Sequence, residues 1–117
     1  VNPGGTGLRK MLNNVPGSGH PTVYPDEKHL LTDSYVQEPT AFDDGTVPLR
    51  WVNLETGEEQ AIVRINAQSP QGYGDLVFRV DPHPAWDRSW RYVTFNGVAD
   101  GTRRVFIADM QALTMGP

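Results

Sequence analysis

The chain contains no cysteine. That removes disulfides, thiolate catalysis and cysteine-ligated zinc together, and it accords with a reducing compartment. No run approaches the ~18 apolar residues of a membrane helix, and no charged-then-apolar signal segment opens the chain. The expectation is therefore no membrane partner, with the cytoplasm favoured. Beginning at Val1 rather than Met, the chain is expected to be a processed or trimmed piece. Positive charge is sparse: 10 basic residues face 14 acidic ones, for a net charge of -4, and no basic cluster exceeds the pair Arg103-Arg104. A surface that tracks nucleic-acid phosphates is excluded on that ground. Also missing is any window with apolar residues at helical spacing over three turns. No glycine-rich phosphate loop, Gly-x-Ser-x-Gly elbow or His-Glu-x-x-His helix occurs either.

What is present is repetition. The stretch Gly19-His20-Pro21-Thr22-Val23-Tyr24-Pro25 through Asp33 returns without a gap 63 residues later, as Pro82-His83-Pro84-Ala85-Trp86-Asp87 through Asn96. A second block, Asp44-Gly45-Thr46 through Leu54, returns 56 residues later as Asp100-Gly101-Thr102 through Met110. The first copy thus carries seven extra residues between its blocks. Within each copy, short runs of Val, Ile, Leu, Tyr, Phe and Trp are bounded by turn residues, the mark of many short strands.

One repeat holds strands a to d. The spacing predicts strand a over 22–24 and 85–86, b over 29–33 and 92–96, c over 49–54 and 105–110, and d over 59–65. A leading strand d is expected over about 7–12, because Leu8-Arg9-Lys10-Met11-Leu12 follows a glycine-rich turn. The order d, abcd, abc fills two four-stranded blades if the leading d closes the trailing abc. That is the arithmetic of an all-β propeller. Residues 1–117 form a single propeller-fragment domain, with blade one over about 20–66 and blade two over about 83–110. Residues 67–75 have the composition of an inter-blade linker. A compact antiparallel sandwich of the same strands is the alternative. Trp51, Trp86, Trp90, Phe95 and Phe106 are more aromatic surface than two isolated wedges are expected to hide. The chain is therefore expected to form a homo-oligomeric ring, or to sit among neighbouring blades of a longer propeller. Three copies would make six blades and four would make eight.

The segments at 19–33, 44–50 and 81–87 (Gly-His-Pro…Pro-Asp…His-Leu-Leu-Thr-Asp, Asp-Gly-Thr-Val-Pro-Leu-Arg and Asp-Pro-His-Pro-Ala-Trp-Asp) resemble the last blades of oligogalacturonate-lyase-like propellers. The stretch from Arg91 to Asp109 resembles, more broadly, the repeats of TolB-type propellers. The likeness runs from about Leu8 to Asp109. It implies an enzyme that cleaves short pectin fragments by β-elimination, with a divalent metal, usually manganese, held by histidines and a glutamine. His83 aligns with a ligand of that family, Asp81 replaces another, and His20 aligns with a ligand from the preceding blade. The glutamine finds no counterpart here, and the family's proton-abstracting base and substrate arginine fall in blades that this chain lacks.

The residues themselves leave two readings of His20 and His83. Lying at one repeat position just before strand a, they could face a common axis and, with Asp81, hold Mn²⁺. Alternatively each ring fixes its own turn by a hydrogen bond to the backbone, and this reading is preferred. His29, level with Tyr92, fills an aromatic slot. Asp33, Asn96, Asp44 and Asp100 are expected to bond turn backbone. In the extra loop, Tyr35 and Phe42 are candidates to stack on the rings of an oligosaccharide or to dock a neighbouring chain, or else they pin the loop to its own blade. The preferred function is a non-catalytic propeller module that self-associates or binds a ligand. The alternative is a metal-dependent oligogalacturonate lyase completed by other blades or subunits.

Overall fold

The structure is a computed structural model that describes residues 3–7, 15–17, 19–68 and 80–114. All but Gly7 of the expected leading strand over 7–12, and most of the linker over 67–75, lie outside these residues.

The described chain is built from two antiparallel sheets with no closed barrel. Sheet one is a meander of β1 (Thr22–Val23), β2 (His29–Thr32), β3 (Thr46–Asn53) and β4 (Glu59–Asn66). Sheet two is a meander of β5 (Ala85–Trp86), β6 (Tyr92–Ala99) and β7 (Thr102–Asp109), followed by a one-turn helix, α1 (Gln111–Thr114). Proline stands before β1 and before β5, yet His83, the residue ahead of Pro84, takes φ 45° and is not extended. No helix among the described residues is long and apolar enough to cross a membrane.

The two sheets repeat each other in register as well as in sequence. His29 pairs with Asn53 as Tyr92 pairs with Asp109, and Leu31 pairs with Trp51 as Thr94 pairs with Ile107. Thr22 pairs with Leu31 as Ala85 pairs with Thr94. Even the irregular turn between the first two strands recurs. Glu27 and Trp90 both take positive φ, 59° and 58°, and each N–H donates to the carbonyl three residues back, Tyr24 or Asp87. A carboxylate locks each turn from a different position. Asp26 Oδ1 accepts the N–H groups of Lys28 and His29, and Asp87 Oδ1 accepts those of Arg91 and Tyr92.

The second strand-b-to-c connection is the two-residue loop Asp100-Gly101, with φ of 54° and 69°, as a type I′ hairpin requires. In sheet one, the seven extra residues replace that tight turn by a loop of its own. There the Asp44 carboxylate accepts the Thr46 N–H at 3.0 Å, and Phe42 donates its N–H to the Thr46 carbonyl. β3 starts at Thr46 rather than 49, and β6 runs on to Ala99 rather than 96, because both turns lead straight into pairing.

The core lies between the sheets. Strand alternation puts Leu31, Val47, Leu49, Trp51 and Ile65 on one face of sheet one, against Val93 and Phe95 of β6 with Phe106 and Ala108 of β7. Gly97 lies between the sheets, where a β-carbon would press on the Ile65 side chain and the Phe106 ring at 3.0 and 3.1 Å. Three tryptophans meet at the junction, where Trp51 is buried and Trp86 and Trp90 stay half-buried. Trp86 lies 6.2 Å from Trp51 and 5.4 Å from Trp90 between ring centroids, and Tyr24 stacks on Trp86 at 5.3 Å. Their mutual packing across the junction hides surface that neither sheet could cover alone.

Candidate functional site

The junction of the two sheets also gathers the histidines. Gly19, at φ 106°, turns the chain so that the His20 backbone N–H points at the Asp33 carboxylate, 2.6 Å away. A β-carbon at Gly19 would fall on that carboxylate, so the turn depends on glycine. Asp33 is fully buried at the end of β2. Its Oδ2 accepts the His83 backbone N–H at 2.8 Å and lies 3.0 Å from His20 Nδ1. A carboxylate can only accept, so His20 Nδ1 carries the proton and Nε2 keeps the lone pair when the ring is neutral.

The His20 and His83 rings are brought together, stacked 3.8 Å apart and within 9° of parallel. Tyr35 closes one side, its ring edge-on to His20 at 5.8 Å. Imidazole lone pairs lie in the ring plane, so two nearly parallel rings do not aim at one point. The arrangement does not fit a metal ion shared by both histidines. Among the described residues no group of three or more His, Asp or Glu side chains is placed to hold a metal. Asp81 stands beside the second repeat's turn, its carbonyl accepting the Asn96 side-chain amide at 3.2 Å. Asn96, at Asp33's place in repeat two, thus donates to backbone where Asp33 accepts from it.

The other loop candidate, Phe42, lies under the Arg64 guanidinium, 4.0 Å from ring centroid to Cζ. Arg64 in turn bonds Asp44 and Thr46 at 2.7 and 2.9 Å. Phe42 is held by its own sheet, as is the loop around Tyr35, where Thr40 donates to Ser34 at 2.7 Å. His29 lies flat on Trp51 at 4.9 Å, with its Nδ1 2.6 Å from Asp26.

The side of sheet one turned away from sheet two carries a cleft of about 360 Å³, lined by Val15, Pro16, Pro21, Leu30, Val52 and Leu54 around Arg50. Sequence reading did not single out Arg50, a guanidinium buried within an eight-residue strand that is covered on both faces. Glu59 clamps it through two oxygens at 2.6 and 3.1 Å, and the Pro16 carbonyl accepts from Nη2 at 2.8 Å. Nη1 is buried and has no partner among the described residues. The only sequence signal was Arg50 in one copy where the other has Phe106, a charge in an apolar slot of the repeat.

Comparison of the chain with protein-family models, with curated proteins and with solved structures finds no match.

Proposed function

We propose that the chain is a non-catalytic β-propeller module that works by self-association. One observation carries this reading: the two repeats stack in the same sense. The face by which sheet one meets sheet two, with Leu31, Leu49 and Trp51, corresponds in sheet two to Thr94, Val105 and Ile107, which turn outward. The stack therefore ends in two unlike faces, each equivalent to one already used inside it. Unlike complementary faces associate head to tail, and when the rotation closes the product is a ring. A propeller is such a ring of sheets.

Light scattering on the purified chain tests this, since self-association raises the mass well above 13.0 kDa.

A second reading is favoured by the buried Asp33, which holds His20 through Nδ1. Carboxylate-oriented histidines suit both metal ligation and proton transfer. In this reading the chain supplies part of a metal-dependent oligogalacturonate lyase site. The share of the site that this chain supplies is then tested by Mn²⁺ binding to the chain, which His20→Ala should abolish. Absence of Mn²⁺ binding eliminates the reading.

A further inference from the structure

The self-association reading leaves open which residues meet. The repeat answers that question, because every contact between sheets one and two has an equivalent at the next junction. Trp51 on β3 meets Trp86 on β5 at 6.2 Å. The residue 56 places after Trp51 is Ile107, and the residue 63 places before Trp86 is Val23. Ile107 is 70% exposed and Val23 43%, so both ends of this equivalent contact are bare apolar side chains. Leu49, fully buried, corresponds to Val105, 69% exposed.

The receiving face follows in the same way. Val93, Ala108 and Met110, which receive sheet one inside the chain, correspond to Leu30, Val52 and Leu54, which line the cleft. Val23 pairs with Leu30 across β1 and β2, and so lies on that same face. Where the internal junction stacks Phe95 on Phe106 at 5.6 Å, the cleft has Thr32 and Arg50. The opposing face has Thr94 in the place of Leu31. Arg50 is only 2% exposed and its charge is met by Glu59, so the parts of this face open to a second copy are Val23 and the apolar rim of the cleft.

We infer that the outer face of sheet two seats on the cleft face of sheet one in a second copy of this chain. Ile107 meets Val23 and Val105 covers the apolar rim of the cleft, while Arg50, already covered within its own chain, takes no part. This rests on the self-association reading and specifies its interface as heterologous.

Because the chain lacks cysteine, the test has a clean background. Val23→Cys and Ile107→Cys are prepared separately, mixed and treated with a short bismaleimide; both positions are exposed, and circular dichroism checks the fold of each. A cross-linked dimer of the two variants is expected only in the mixture. Cross-linking of Ile107→Cys to itself would show a symmetric face-to-face contact and overturn the inference. So would a wild-type chain that assembles by light scattering while the mixture gives no cross-link, a result that spares the self-association reading. A wild-type chain that never assembles sinks both. As a second measurement, Ile107→Asp should weaken assembly at least about tenfold, since it loses a buried isoleucine and strands a charge. Val36→Asp, exposed on the extra loop, should leave assembly unchanged. Equal effects of the two substitutions would overturn the inference.

Discussion

The Asp33 carboxylate accepts the backbone N–H of His83 at 2.8 Å across fifty residues of chain, and so ties the end of sheet one to the entry of sheet two. The same carboxylate holds the His20 N–H and ring. Asp33→Ala leaves two backbone donors without this acceptor and should cost about 2–4 kcal/mol of stability. Asp33→Asn keeps one acceptor oxygen, as Asn96 has in the second repeat, and should cost less. Urea denaturation of the two variants checks the order; equal costs would show that the carboxylate does not bridge the sheets.

The aromatic junction gives a second expectation. Trp51 is buried between His29, Tyr24 and Trp86, so Trp51→Ala should lose about 3–5 kcal/mol together with most of the near-ultraviolet circular dichroism. Trp90 differs because its backbone is left-handed, at φ 58°. Trp90→Gly should therefore be more stable than Trp90→Ala by about 1 kcal/mol, the reverse of the usual order at an exposed site. Thermal melts of the pair decide it.

Acid should loosen the second repeat's turn. The Ser89 hydroxyl and the N–H groups of Tyr92 and Arg91 hold Asp87 down from 3.8 to about 2. A carboxyl depressed in the folded state adds stability above its unfolded value and loses it as pH falls toward the folded one. The contribution of Asp87 is thus full above about pH 4 and fades down to about pH 2. Asp109, lowered by Arg91 and by the Gln111 N–H, acts in the same direction. Asp87→Asn should flatten the acid limb of the stability profile in that window. An unchanged limb would mean that the turn is not held by the ionised carboxylate.

Much of the architecture was legible because its signals are local. Strands short enough to be bounded by Pro, Gly and Asp stand out, and the repeat supplied a second reading of each, so His29–Thr32 and Tyr92–Ala99 confirm one another. The strand ends were less legible. β6 extends three residues beyond 96 because Asp100-Gly101 needs no linking residues, a property of the two φ values rather than of hydrophobicity. Asp33 was expected to bond turn backbone, and it does. That one of its partners belongs to the other repeat depends on how the sheets stack, which no local pattern encodes. Arg50 stayed hidden for a similar reason. Its burial follows from β3 being covered on both faces, and its partner Glu59 comes from the neighbouring strand. Of the five large aromatics, Trp51 and Phe95 are buried between the sheets while Trp86, Trp90 and Phe106 stay half-buried, so the two sheets share this surface without hiding all of it.

The bare side chains of Val105 and Ile107 make solution mass the most direct measurement of all. Light scattering over a range of concentrations should give about three or four times 13.0 kDa, the mass of a six- or eight-bladed ring. A constant 13.0 kDa at every concentration would contradict the account.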